Sequence, residues 1–358
     1  MTAEEGGAPG FVVHRLVQDF ARRAMNDERR TQALREALEW VNAAFVGAPN
    51  DVSNWPVLDP LAPHALAVAR VADAAGIAEP TALLFNQLGV LFDAKADYAQ
   101  AETLKRRALA IAETSYGPDH PNVAIPLNNL SELLRKTNRH AEGEPLMRRA
   151  LAIDEASYGP NHSKVATRLN NLAALLYSIN RLAEAEPLMR RALAIDETNL
   201  GSDHSQVARG LNNLAQLLKA TNRLAEAEPL YRRALAIDET SYGPDHPYVA
   251  IDLSNLAALL YSINRLAEAE PLMRRALAID ERSYGPDHPD VAIDLNNLAL
   301  LLQTTNRLAE AESLYRRALA ILEKSLGPDH PNTILVRNNL AGLKALLARA
   351  ASASDRET

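Results

Sequence analysis

The chain has 358 residues, no cysteine and a formal net charge of −7. Disulfides and thiolate metal sites are therefore excluded, a reducing compartment is expected, and the acidic balance argues against sequence-independent binding of nucleic acid. Hydrophobic residues make up 47% but aromatics only 5%, so any sizeable core is built from alanine and leucine, as where helices approach closely.

The first eighty residues follow no repeat. Phe11–Met25 has the apolar spacing of an amphipathic helix, and Thr31–Phe45 forms a second, with Trp40 on its apolar side. Residues 50–60, with Pro49, Pro56 and Pro60 in or beside them, form a turn-rich connector, and Leu61–Ala75 is a third helix. The start lacks the basic-then-apolar run of a signal peptide, and no apolar stretch reaches the roughly 18 residues of a membrane span, so a cytoplasmic location is expected.

Beyond that point one period governs the chain. Leu-Asn-Asn-Leu recurs at Leu127, Leu169, Leu211 and Leu295, Leu-Ser-Asn-Leu stands in phase at Leu253, and Phe85 to Leu88 and Arg337 to Leu340 keep the register. A fixed period of this size, 42 residues between neighbouring copies, marks a solenoid of stacked supersecondary units. In the unit Ile251–Ala292, Leu253, Leu256, Ala257, Leu260 and Ile263 lie on one helical face, and Asn264-Arg265 breaks the helix. A second helix runs through Ala267, Ala269, Leu272, Met273, Ala276, Leu277 and Ile279. It stops at Gly285, expected in the left-handed C′ conformation, with Asp287 as N-cap and Pro289 in the first turn of the next helix.

Six such pairs begin near Leu83, Ile125, Thr167, Arg209, Ile251 and Ile293. A lone capping helix runs from about Pro331 to Ala350. The expected division is an N-terminal helical extension over residues 1–80, the solenoid over 81–350, and a frayed tail over 351–358.

Small residues at Ala257, Ala269 and Ala276, with Leu256, Leu260 and Met273 between them, resemble the tetratricopeptide repeat. The 42-residue period and the Gly-Pro-Asp-His-Pro loop resemble its long-helix, kinesin-light-chain-like subtype. The resemblance implies an all-α, right-handed solenoid of antiparallel helix pairs. His14 to Gln18, Asn54-Trp55-Pro56 and Pro63-His64-Ala65 resemble the segment joining a nucleotide-binding (NB-ARC, STAND) ATPase core to its tetratricopeptide sensor. The Gly-x-x-x-x-Gly-Lys-[Ser/Thr] loop of that core is missing from this sequence, so the kinship implies a sensor arm without a motor.

The tetratricopeptide resemblance also places the first helices along a concave groove. Asn128, Asn129, Asn170, Asn171, Asn212, Asn213, Asn255, Asn296 and Asn297 then face it, with Ser254, Asn338 and Asn339 in the same register. A carboxamide both donates and accepts, so a ladder of them holds a peptide backbone whatever its side chains. The alternative is that one Asn per repeat only ties neighbouring helices. Positions that vary between repeats bring Glu132, Arg135, Lys136, Arg209, Gln216 and Lys219, with Tyr177 and Tyr261, to the same face. Four cations and two tyrosines fit a partner segment with acidic and aromatic residues.

His120, His162, His204, His246, His288 and His330, one per repeat, are too far apart to share a metal and are expected to pack the loops. Arg190/Arg191 and Arg232/Arg233 lie on second helices, with Glu186 and Glu228 placed for i,i+4 pairing, as on a solvated face rather than a phosphate stripe. With no nucleophile elbow and no His-Glu-x-x-His motif, catalysis is not expected, nor is a cofactor, metal, nucleic acid or membrane partner. The expected function is a protein-interaction scaffold that binds an extended peptide or protein segment; the alternative is the sensing arm of a STAND ATPase. The likeness of the repeats leaves a homo-oligomer through the solenoid ends open.

Overall fold

A computed structural model describes residues 26–51 and 54–357, with side chains through Arg349. The helix expected at Phe11–Met25, and with it His14 to Gln18, lies outside the described residues. Among the described residues there are fifteen helices and no strand, and consecutive helices pack as the pairs of an α-solenoid. Packing divides the chain into two units, residues 1–175 and 176–358.

In the first unit, α1 (Asp27–Ala44) starts ahead of Thr31 because Asn26 caps it, its side chain accepting the Arg29 amide at 2.8 Å. Leu38, Val41 and Phe45 are buried, whereas Trp40 is 67% exposed. Two residues from Leu38 on a 3.6-residue helix, Trp40 points to the opposite side rather than to the apolar one. Helix α2 (Trp55–Ala74) begins at Trp55, not Leu61. Pro56 sits in its first turn, where no amide donor is needed, and the Trp55 indole donates to the Pro49 carbonyl at 3.1 Å. The buried face Leu58, Ala62, Ala65, Ala69 and Ala72 carries this helix past Pro60 and Pro63, packing outweighing local propensity. One core runs from Leu38 through Leu58 and Ala65 to Leu84, Leu88 and Ile111, so the extension is built onto the first repeat.

Repeated pairs follow: α3 (Thr81–Ala94) with α4 (Tyr98–Tyr116), and α5 (Pro121–Lys136) with α6 (His140–Tyr158). Helix α7 (Ser163–Ser178) spans the division between units. In the second unit lie α8 (Leu182–Leu200), the pairs α9 (Ser205–Ala220) with α10 (Leu224–Tyr242), α11 (Pro247–Ser262) with α12 (Leu266–Tyr284) and α13 (Pro289–Thr304) with α14 (Leu308–Ser325), and α15 (Pro331–Glu357). Helix α15 runs on through residues 351–357, without a break at Ala350.

The expected contacts recur in each pair. Leu253, Leu256, Ala257, Leu260, Ala269 and Ala276 are all at most 1% exposed; each buried leucine contributes on the order of 2 kcal/mol. Ala267, placed on the apolar stripe from sequence, is exposed. First helices end on Asn138, Asn180, Asn222, Asn264 and Asn306 with φ near 60°, the left-handed conformation Asn tolerates. In the first repeat that position is Ala96, φ 61°. Gly285 has φ 87° and ψ 158°, an extended conformation with positive φ that is narrower than the expected left-handed cap and open in practice to glycine alone.

From α5 onward the cap of each first helix is the histidine, not the residue before it; α3 has Pro80 at that position instead. Nδ1 of His120, His162, His204, His246, His288 and His330 accepts the amide two residues on at 3.1 to 3.2 Å. Four of these rings stack on the tyrosine that closes the preceding helix, for example His246 on Tyr242 at 4.6 Å. The arginine pairs are engaged as well. Arg190 and Arg232 meet Glu186 and Glu228, each at 2.8 Å, and Arg233 reaches back to Glu197 at 2.6 Å and to the Ser202 carbonyl. A phosphate stripe has no free guanidinium there.

The face of the first helices

The asparagines lie on the first helices as expected, and much of their hydrogen bonding is internal. In the first unit, Asn129 donates to Asn86 at 3.0 Å, Asn128 to Asn129 at 3.3 Å, and Asn171 to Asn128 at 2.8 Å. In the second unit, Asn339 donates to Asn296 at 2.8 Å, and Asn296 to Asn297 at 3.4 Å. The second Asn of one repeat thus reaches the first Asn of the repeat before it, 43 residues back in each such pair. That is the structural role weighed against peptide binding.

The chain of carboxamides opens in the middle of the protein. Asn213 and Asn255 make no side-chain hydrogen bond within the second unit, and the oxygens of Asn170 and Asn212 are buried without a donor. Asn212 donates to Asp252 instead of receiving Asn255. Asn212, Asn213 and Asn255 line a pocket of about 380 Å³ between α9, α10 and α11. Arg209 and Gln216, both exposed, border it, and Tyr242, Tyr248 and Ile251 supply its apolar wall.

The other predicted cations and tyrosines divide between free and engaged. Arg135 is paired with Glu132 at 3.1 Å, and Lys136 with Asp93 at 2.9 Å. Asp93 also holds the fully buried Lys105 at 2.7 Å. Burial works to raise the Asp93 carboxyl, but the two lysines outweigh it and hold it below the usual range. Lys219 is half-buried with no ion pair in its unit, and burial lowers its ammonium below the usual lysine range. The Tyr261 hydroxyl lies 2.9 Å from Thr304 Oγ1. Tyr177 is half-buried beside Tyr231, whose phenol burial and then this neighbour push up to about 12.

Sequence reasoning missed the acids beneath these pockets. Asp238 and Asp252 lie together at the floor of the larger pocket, and Asp280 and Asp294 floor a second one, about 270 Å³, between α11, α12 and α13. Burial, then the Asp238 charge, lifts Asp252 to about 7 against its hydrogen bond from Asn212. Burial and the Asp280 charge lift Asp294 to about 7. The available signal was an in-register comparison: this first-helix position is Pro126, Arg168, Gly210, Asp252 and Asp294 in successive repeats. No group of three or more metal-ligating side chains occurs among the described residues, and no helix of theirs is long and apolar enough to cross a membrane.

Stacked helix pairs with small residues at the contacts and a ladder of polar residues on the first helices define a helical-repeat scaffold. A tetratricopeptide repeat model matches residues 80–155, 127–198, 180–240, 206–282, 264–324 and 295–358, and the chain belongs to this family. The repeat is in general a protein–protein interaction scaffold. Among curated proteins, none matches the chain. Similar solved structures include kinesin light chain nearly identical TPR-like repeats from Podosopora anserina, at 22% identity and TM-score 0.52, covering 58% of this chain and 98% of that one. BtubC (BKLC) from P. vanneervenii is 25% identical with TM-score 0.54, over 66% of this chain and 92% of that one. A Signal Transduction ATPase with Numerous Domains (STAND) with a tetratricopeptide repeat sensor, from Pyrococcus horikoshii, matches at 13% identity and TM-score 0.57, over 93% of this chain. This chain spans about half, 52%, of that protein.

Proposed function

We propose that this protein is a non-catalytic scaffold that holds an extended segment of a partner protein against the first-helix face of its second unit. The observation that carries the proposal is the opening in the asparagine chain. Asn213 and Asn255 present unengaged donors and acceptors beside a pocket with aromatic and aliphatic walls, as backbone capture requires. Arg209 and Lys219 on the same face favour an acidic residue of the partner there, whereas Arg135 and Lys136 are neutralised within the protein.

The test is a peptide-display selection on the purified chain and on the Asn213→Ala/Asn255→Ala variant. Asn171→Ala serves as control, because Asn171 is engaged within the stack. Peptides that bind the wild type and the control, but lose at least tenfold on the double variant, support the reading. A folded wild-type chain that selects no peptide overturns it.

A second reading, the sensing arm of a separate STAND ATPase, is favoured by a likeness that extends over 93% of this chain. Copurification of a P-loop ATPase through residues 1–80 would support it, and its absence from a native complex would count against it.

A further inference from the structure

The two units treat the same acidic position in opposite ways. In the first, the buried Asp154 carboxylate accepts from Arg168 Nε at 2.8 Å, and Lys164 Nζ lies 4.1 Å from the centre of the Tyr158 ring and 2.9 Å from its hydroxyl. Two basic side chains of the following helix thus cover the acid and the aromatic ring that precede them. Three periods later the acid and the ring remain, as Asp280 and Tyr284, but the residues in register with Lys164 and Arg168 are Asp290 and Asp294. Both internal cations have become acids.

The result is a pocket built for a cation that the protein does not supply. Asp280 and Asp294 are 9% and 8% exposed, and Oδ1 of Asp280 and Oδ2 of Asp294 are buried with no donor from any other residue, so that these oxygens have only a proton shared between the two carboxyls. Asp294 receives a single donor, the Ser254 hydroxyl at 3.2 Å. The walls are the aliphatic Ile251 and Ile293 and the ring of Tyr284, and no lysine or arginine lines the pocket. His288 is the nearest basic group, and its Nδ1, 3.6 Å from Asp290, already accepts an amide. Aliphatic walls, a tyrosine face and buried carboxylates suit the stem and head of a lysine or arginine.

We infer that the Asp280–Asp294 pocket is a specificity subsite that takes a lysine or arginine side chain of the bound partner, in the place that Arg168 and Lys164 fill internally in the first unit. The inference rests on the proposed scaffold function and adds a side-chain requirement to it. The arriving cation pairs with both carboxyls, and the proton they share leaves to solvent. Binding at this subsite therefore releases protons, which a contact with permanently ionised surface acids does not.

The test is a random-peptide display selection on the full chain and on Asp280→Asn/Asp294→Asn, whose amides keep the shape of the protonated acids. Calorimetry of one selected peptide at pH 7, in two buffers of different ionisation enthalpy, then counts protons. The expected result is a lysine or arginine at one fixed position in the wild-type selection, an at least tenfold loss of preference for it in the variant, and proton release in the wild type alone. Selected peptides with no basic position, or with one that persists unchanged in the variant, overturn the inference and leave the scaffold reading standing. A folded chain that selects no peptide overturns both. The single variant Asp294→Asn, which keeps Asp280, guards against loss of folding and is expected to lose part of the preference.

Discussion

Raising the pH from 5 to 8 is expected to weaken the second unit around Asp252 and Asp294, and replacing both with asparagine should reduce that weakening, leaving the smaller share of Asp238 and Asp280. Each carboxyl is lifted from 3.8 to about 7, chiefly by burial. Between those values the folded chain holds protons that the unfolded chain has released, so stability falls as pH rises through the window and levels off above it. A lift of roughly three units corresponds to about 4 kcal/mol per group as an upper figure. Both carboxyls line pockets open to solvent and can draw water on ionising, so a combined effect of about 2–4 kcal/mol is the working expectation. Surface acids held down by arginines, such as Glu186 and Glu228, push stability the other way. They are the same in both proteins and cancel in the difference. Repeat arrays need not unfold as one unit, so the assay is amide hydrogen exchange resolved over α11 to α13, corrected for intrinsic rates, with thermal melts alongside. Asp252→Asn/Asp294→Asn should match the wild type near pH 3, below the window, and exceed it increasingly up to pH 8. An equal gap at both pH values, or a wild type that gains protection there as pH rises, would refute the argument.

Three further outcomes follow from the fold. Ala96 occupies the left-handed turn position that asparagine holds in the later repeats, so Ala96→Asn should raise stability by about 0.5–1 kcal/mol, read from the denaturation midpoint. His246→Ala, which removes the acceptor for the Tyr248 amide, should cost about 1 kcal/mol, whereas His246→Asn should retain most of the cap in the same assay. Asp93→Asn leaves Lys105 buried beside a neutral group and should cost about 3–5 kcal/mol, while Lys136→Met, on the more exposed side of the same carboxylate, should cost under about 1 kcal/mol.

The architecture was legible because it is periodic: Leu253, Ala257 and Ala276 occupy positions whose packing is dictated by the period alone, and the burial at each follows. What was not legible depended on geometry between units of the period. The histidine caps were assigned to Asp287 because aspartate is the commoner cap residue, yet the ring Nδ1 of His288 sits one residue nearer the helix start and reaches the amide. The start of α2 was hidden by its prolines, since a proline in the first turn and one in a loop look alike without the packing partners. The asparagines were placed on the right helices, but whether a carboxamide faces a ligand or the next repeat depends on the residue 43 positions on. Asn171 donates to the Asn128 oxygen there; Asn255 does not reach the Asn212 oxygen, which is left without a donor while the Asn212 amide donates to Asp252. The acid pairs were missed because each half, Asp238 and Asp252 for instance, reads separately as an ordinary polar position.

A protein made of near-identical units can hold its shape with the positions it repeats and select its partner with the positions at which it departs from them. The asparagine chain belongs to the first kind, and where it opens it offers hydrogen bonds to a backbone that every peptide shares. The acid pockets belong to the second kind. Replacing Arg168 and Lys164 by their in-register counterparts Asp294 and Asp290 exchanges two positive charges for two negative ones between first helices of the same length. Backbone capture and side-chain selection should therefore separate under mutation. Asn213→Ala/Asn255→Ala lowers affinity for all ligands alike, because it removes contacts that no ligand side chain makes. Asp280→Asn/Asp294→Asn changes which ligands are bound, because it removes a charge that only some ligands answer. If the two variants instead produced the same pattern of losses across a peptide set, the face would be acting as one undivided surface, and the division of labour argued from the repeat register would fall.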